Sequence, residues 1–260
     1  MADASSENIR KRHIERQKRR MRQMKRRRII TVSLLISIVF LIIIFFTPLF
    51  NIRKIEVVGN SKIETAQIDE NLTLALGKNI FRYRSGSAVK KIKSIPYVST
   101  AYVKKHVFSC KLTVTVEECT PAAYLAVGEK SVVLDANLKV LEVLDEVKYN
   151  IPEILDVVAV DIKPGEKITL QDNDTANAVS TCIPVLVNEG IIDGVKHISF
   201  KDLKNVTFNY QNRLDVICGT TDDFEKKIKF FYQAINSKSL TENSRGTIDL
   251  SVPGQAVYDP

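Results

Sequence analysis

Few residues in this chain have the type and spacing to do chemistry. Asp172-Asn173-Asp174 places two carboxylates two residues apart, a spacing that can hold a divalent cation against a nucleotide diphosphate. Thr175 follows directly, and with it the same residues read as the capping loop of a helix. The four cysteines, Cys110, Cys119, Cys182 and Cys218, include no Cys-x-x-Cys pair, so a zinc or redox centre has no support from spacing. Cys110 and Cys119 bracket one strand-like run and would lie roughly 30 Å apart, beyond a disulfide. A Cys182–Cys218 bridge stays open, beside the expectation of four buried free thiols. His106 and His197 are far apart in sequence, and His13 lies in a basic N-terminal run. The chain has no Gly-x-Ser-x-Gly, no phosphate-cradling glycine loop and no His-Glu-x-x-His. We expect no catalytic residue, no metal site and no cofactor.

The elements that must carry whatever function remains are set first by charge. The 260 residues have a formal net charge of +8, which invites a nucleic-acid reading. Residues 1–28, however, hold 12 basic and three acidic side chains, leaving 26 basic and 27 acidic over the rest. A groove tracking phosphates needs Lys and Arg clustered on the folded domain itself, so no nucleic-acid partner is expected. Ten Gly and eight Pro are too few for a collagen-like chain, and 45% apolar content suits a folded one.

Residues 29–50 run for 22 positions without a charge. About 20 helical residues span the hydrocarbon layer, so this stretch reads as a transmembrane helix, with Ile29, Leu35, Phe40 and Phe46 among the anchoring side chains. A cleaved signal peptide would have a shorter apolar region followed by small residues; Phe45-Phe46-Thr47-Pro48-Leu49-Phe50 is bulky there. Twelve basic residues precede the span and only Arg53 and Lys54 follow it closely, which puts the N-terminus in the cytoplasm and about 210 residues outside. The basic tail then suits anionic membrane lipid, at roughly 1 kcal/mol per Lys or Arg near the surface. Ser33 and Ser37 form a small-xxx-small pair of little weight.

Beyond the span, Ile52–Val58 reads as a strand ending in the Gly59-Asn60 turn. Ser61 and Glu64 form a capping box for a helix carrying Ile68, Leu72, Ala75 and Leu76, with Gly77 at its stop. Ala88, Val89, Ile92 and Ile95 mark a second short helix ended by Pro96. A mixed strand over Tyr97–Lys105 follows. The next strand alternates cleanly, Leu112, Val114 and Val116 facing in and Thr113, Thr115 and Glu117 facing out. That order, β-α-α-β-β, makes a small α+β module. Further strand-like runs cover Ala122–Val127, Ser131–Leu134, Lys139–Val143, Ile198–Phe200, Asn205–Tyr210 and Leu214–Ile217. Asp174–Val187 is helix-like until Pro184. Asp222 or Asp223 can cap a helix whose apolar face is Phe224, Ile228, Phe231 and Ile235. Gly246–Val252 and Ala256–Tyr258 close the chain as strands.

A β-α-α-β-β module directly after one span resembles the POTRA domain of the FtsQ/DivIB family of bacterial division proteins. Val116-Glu-Glu-Cys-Thr-Pro121-Ala-Ala123 is similar to that family's closing motif, Val133-Leu-Asp135-Ala-Asn-Leu-Lys-Val140 to its hairpin, Ile151-Pro152-Glu-Ile154 to its Leu-Pro-x-Ile element, and Gly246-Thr-Ile248-Asp249-Leu250 to its terminal strand. The chain departs from the pattern at Cys119, where a basic residue is frequent, at the hairpin Phe108-Ser109-Cys110, where a proline is usual, and at Asp156, where Gly is usual.

The expected architecture is therefore α+β: a single N-terminal transmembrane helix, a POTRA-like domain, then a mainly antiparallel β domain with flanking helices. The expected boundaries are 1–28 for the basic cytoplasmic tail, 29–50 for the span, 51–119 for the POTRA-like domain and 120–260 for the β domain. The resemblance implies a non-catalytic scaffold of the division septum. Its partners would be membrane-anchored coiled-coil proteins of the FtsB/DivIC and FtsL types and, through them, septal peptidoglycan synthases. An open sheet edge can accept a partner strand through main-chain hydrogen bonds. Thr247, Ile248, Asp249, Leu250, Ser251 and Val252, with Ala256, Val257 and Tyr258, are the expected edge. Two rival readings stand beside it. One is a type II membrane-anchored glycosyltransferase using Asp172 and Asp174, which the Asn-x-Thr sequons at Asn71, Asn173 and Asn205 would suit. The other is a POTRA-bearing export factor.

Overall fold

Helix α1 (Ala2–Phe46) begins in the basic run and continues unbroken into the apolar one. Its segment Gln23–Ile44 has mean hydropathy 2.4, and none of it is buried against protein; a helix satisfies its own backbone polar groups, which lipid demands. The helix stops at Phe46, four residues before the uncharged run ends. Pro48 is the reason: the residue before a proline is pushed out of the helical region, and Thr47 is extended (φ −84°, ψ 148°) before a 3-10 turn at Pro48–Phe50.

The computed structural model describes residues 2–61, 63, 68, 72, 75–237, 243–252 and 254–260. Glu64 of the expected capping box lies outside these, as does Asn71. The amides of Ser61 and Ile63 donate to the Glu118 carboxylate at 2.7 and 2.9 Å. Two compact units emerge: residues 1–56, 72–84 and 105–113 form one, and residues 57–71, 85–104 and 114–260 the other.

After the span come β1 (Lys54–Val58), α2 (Ser85–Lys93), β2 (Val98–His106) and β3 (Lys111–Glu118), with strand order β1-β3-β2. Leu112, Val114 and Val116 are buried as the alternation requires. Ala88 and Ile92 are the buried residues of α2.

The remaining strands are β4 (Ala123–Val127), β5 (Lys130–Leu134), β6 (Val140–Leu144), β7 (Glu153–Leu155), β8 (Ala159–Asp161), β9 (Thr169–Leu170), β10 (Val195–Ser199), β11 (Val206–Tyr210), β12 (Leu214–Gly219), β13 (Gly246–Asp249) and β14 (Val257–Asp259). Nine of them make one sheet in the order β14-β13-β12-β11-β10-β7-β4-β5-β6, while β8 and β9 pair apart. Five of its neighbouring pairs are antiparallel; β4–β7, β7–β10 and β12–β13 are parallel. Helices α3 (Asn173–Asn188) and α4 (Phe224–Ile235) contribute Val179, Cys182, Ile183, Leu186, Phe224, Ile228 and Phe231 to the core of this sheet. Phe231 meets the rings of Phe208 and Tyr210 edge-on, with centroids 5.3 and 5.2 Å apart. The fold is α+β with one N-terminal transmembrane helix.

Two local expectations change. Helix α3 runs through Pro184 to Asn188, because Ile183 and Leu186 on either side are fully buried and tertiary burial outweighs one lost backbone donor. Asp223 precedes α4 in the left-handed region (φ 52°) and makes no side-chain cap; its carboxylate instead pairs with Lys226 at 2.8 Å. Asp222 accepts from the Thr220 hydroxyl. Asp156, at the position where Gly was expected, has φ 62°, a conformation Asp tolerates better than most residues, and accepts from Ser199 Oγ at 2.6 Å.

Candidate partner-binding edge

A sheet of nine strands has two ends, and the chain treats them differently. At one end, β6 is covered at its start. The Val140 amide donates to Glu166 O at 2.9 Å, its carbonyl accepts from the Gly165 amide at 2.8 Å, and Lys139 bridges Lys167. Farther along, the Glu142 carboxylate accepts from the hydroxyls of Tyr97 and Tyr149, both at 2.6 Å. Burial, then this hydrogen bond, pushes the Tyr97 phenol well above its usual range, so it remains a donor. Below β6, the Lys139 ammonium donates to the carbonyls of Lys93, Ile95 and Val98 at 2.6–2.8 Å. These include the end of α2, where the helix dipole favours a cation.

At the other end, β14 pairs with β13 alone: Thr247 opposite Asp259, Ile248 opposite Tyr258, Asp249 opposite Val257. Val257, Tyr258 and Asp259 are all exposed. Among the described residues, the side-chain tie on this strand is the Tyr258 hydroxyl donating to Arg245 O at 2.7 Å. Gly246 makes the close approach of the two strands possible. It sits at φ 135°, and a Cβ there would lie 2.1 Å from Asp259 O, inside van der Waals contact.

The expected edge residues divide between these positions. Gly246–Asp249 is an interior strand, hydrogen-bonded to β12 on one side and β14 on the other. Ile248 is buried, and Leu250 is buried with its amide on Ile217 O at 2.7 Å. Ser251 donates its amide to Asp249 Oδ1 at 2.7 Å and holds that carboxyl below its usual range. Val252, Ala256, Val257 and Tyr258 are exposed, so the open edge falls on the last run and extends to Asp259. Proline at 248 or 250 would therefore break the sheet rather than probe its edge. Gly246 and Asp259 were missed in sequence; the glycine immediately before an apolar strand was the available signal. The anchor side chains Ile29, Leu35, Phe40 and Phe46 are all exposed on α1.

The candidate chemistry resolves into structure. Asp172 caps α3, accepting from the Thr175 amide at 2.7 Å and its hydroxyl at 2.6 Å. Those bonds hold its carboxyl below the usual range. Among the described residues no three His, Cys, Asp or Glu gather in a metal-binding group. All four cysteines are free. Burial pushes the Cys119 thiol up to about 11 and Cys218 to about 12, with Cys182 also raised, so the thiolate needed for reactivity is suppressed.

The FtsQ-type POTRA domain family matches residues 50–118. Along the longer chain, the cell division protein DivIB of Clostridium botulinum strain Hall is 25% identical over 247 residues, covering 94% of this chain and 93% of the relative. That of Clostridium tetani is 23% identical over 227 residues, covering 86% and 85%. That of Bacillus cytotoxicus is 24% identical over 240 residues, covering 92% and 89%. The solved major extracytoplasmic domain of DivIB from Geobacillus stearothermophilus aligns over 47% of this chain and 96% of its own, at 15% identity and TM-score 0.32; the fold assignment rests instead on the strand order above. The fold and these likenesses define a non-catalytic, single-pass membrane protein with a POTRA module. Residues 50–118 match the FtsQ-type POTRA domain, and most of the chain's length is similar to DivIB cell division proteins.

Proposed function

We propose that this protein is a septal scaffold that receives a partner strand on β14. The observation that carries the reading is the asymmetry of the sheet, with the start of β6 hydrogen-bonded to the 165–166 segment of its own chain and Val257–Asp259 paired on one side only. An incoming strand would gain main-chain hydrogen bonds along β14, and the exposed Val257 and Tyr258 would select its side chains. The proposed partners are the FtsB/DivIC-type and FtsL-type coiled-coil proteins, and through them the septal peptidoglycan synthases. The basic tail would lie in the cytoplasm on anionic lipid, with the folded region outside. In this reading residues 51–119 form the membrane-proximal module, and residues 120–260 present the edge.

The test replaces Tyr258 with a photo-reactive phenylalanine analogue in living cells and identifies the cross-linked proteins by mass spectrometry. Small bitopic coiled-coil proteins are the expected products, and deleting residues 256–260 should abolish their recovery. Undiminished recovery by the deletion variant, expressed and folded, would refute the edge.

A further inference from the structure

The scaffold reading leaves unexplained the charge of the unit that holds the anchor. Its folded segments, residues 47–56, 72–84 and 105–113, carry seven Lys or Arg against a single acidic residue, Glu56. Glu56 is already paired with Lys111. The larger unit, by contrast, has 19 basic and 26 acidic residues. Positive charge outside the N-terminal tail is thus concentrated in the segments around the end of the span.

These segments are tied to the helix end at several points. Asn79 Nδ2 donates to the carbonyls of Ile44 at 3.0 Å and Thr47 at 3.4 Å, satisfying acceptors that a helix C-terminus leaves free. The Ile80 amide donates to Phe50 O at 2.9 Å, and the Arg82 guanidinium lies 5.5 Å from the centre of the Phe46 ring. A cavity of about 490 Å³ opens here, with Lys78 and Arg82 beside Phe46, Thr47 and Pro48. That volume is in the range of small-ligand sites.

The β2–β3 hairpin reaches the same level. Cys110 Sγ lies 3.4 Å from Leu49 O, and the Arg53 amide donates to Cys110 O at 2.8 Å. Two residues before Cys110, the Phe108 side chain is fully exposed, and Leu49 is exposed as well. A fully exposed phenyl, held beside the end of a membrane span and among excess cations, matches a membrane–water interface. Aromatic rings settle there, while Lys and Arg reach the headgroups.

We propose that this surface seats on the leaflet facing the folded region. Phe108 and Leu49 enter the interface, and Lys78 and Arg82 hold the phosphate of an anionic phospholipid in the cavity at the helix end. This site is separate from the N-terminal tail, on the opposite side of the membrane from it. It would fix the height and tilt of the POTRA module independently of any strand added at β14.

The chain has no tryptophan, so F108W introduces a unique fluorophore at an exposed position. Full-length F108W is reconstituted in vesicles mixing phosphatidylcholine and phosphatidylglycerol, one or the other brominated near the headgroup. The expected result is blue-shifted emission, quenched more by brominated phosphatidylglycerol than its bulk share predicts. K78Q/R82Q in the same background should lower that preference roughly thirtyfold, at about 1 kcal/mol per basic residue; K78E/R82E should lower it further. Thermal unfolding of each variant separates loss of the site from loss of the fold. Water-like emission without quenching overturns the proposal, as does equal quenching by the two lipids. Burial of the fluorophore only on adding other membrane proteins also overturns it, because the surface would then be a protein interface.

Discussion

The two ends of the nine-stranded sheet show how one chain can both terminate a sheet and leave it open. At β6, the 165–168 segment takes up the Val140 backbone groups, and Tyr97 and Tyr149 converge on Glu142. At β14, three exposed residues form the outer strand of a two-strand hairpin, and among the described residues no strand lies beyond them. Unpaired edges are a hazard that proteins usually blunt. Here the open one is short, three residues, and carries Asp259, a length and charge that discourage indiscriminate pairing. The contrast lies in what holds each rim: the start of β6 is bonded to another segment of the chain, whereas β14 is held by β13.

Both ends rest on one hydrophobic core, which runs from Val132 and Leu134 of β5 to Val216 of β12 and Ile248 of β13. The largest effect should therefore come from Phe231→Ala, which removes a fully buried ring from between Phe208 and Tyr210. We expect a loss of about 3–5 kcal/mol, with both ends losing amide-exchange protection together. Separate unfolding of the ends would break the idea of a shared core.

Gly246→Val should act on the open end alone. The added Cβ collides with the Asp259 carbonyl, and the backbone strain contributes about 1–3 kcal/mol. Hydrogen exchange over residues 257–259 should rise to the unprotected rate while β4–β6 stay protected, and cross-linking at position 258 should fall sharply.

Tyr97→Phe should act on the closed end. It removes a donor to the Glu142 carboxylate, for a cost of about 1.5–3 kcal/mol for a bond to a charged group at full strength, and less at this half-exposed site. Because the Tyr97 phenol is raised in the folded state above its ordinary value of 10.0, its contribution is complete below about pH 10. It is lost as pH climbs through the folded value. The melting difference between wild type and Y97F should accordingly be flat from pH 6 to 9 and shrink above about pH 10.

Tyr258→Phe is the smallest perturbation, deleting the exposed hydroxyl bond to Arg245 O at about 0.5–1 kcal/mol. Exchange at β14 should quicken slightly, with no measurable change at β6. Comparable losses at both edges would mean that β14 is no more weakly held than β6.

Much of this molecule was legible before any tertiary contact was considered. The uncharged run after a basic tail announces a span, and the alternation of Leu112, Val114 and Val116 places them inside. The Phe224, Ile228 and Phe231 spacing likewise yields the buried face of α4. Each depends on a period of 2 or 3.6 residues, or on a length, that local sequence carries by itself. The readings that changed depend on neighbours distant in sequence. Pro184 was read as a stop because nothing local announces the burial of Leu186. Asp223 was read as a cap because nothing local assigns its carboxylate to Lys226.

The candidate edge illustrates the same division. Thr247–Val252 and Ala256–Tyr258 both have strand composition, and composition alone cannot rank them across a sheet. A strand's alternation states which face is buried, whereas its position in the sheet depends on hydrogen bonds to strands far away in the chain. The sequence by itself determined the anchor, the charge asymmetry, the element types and the buried faces. Only the tertiary structure decided that Gly246–Asp249 lies between β12 and β14 and that Val257–Asp259 is left at the rim. Lateral strand order is a property of backbone pairing, and every residue brings nearly the same backbone to it.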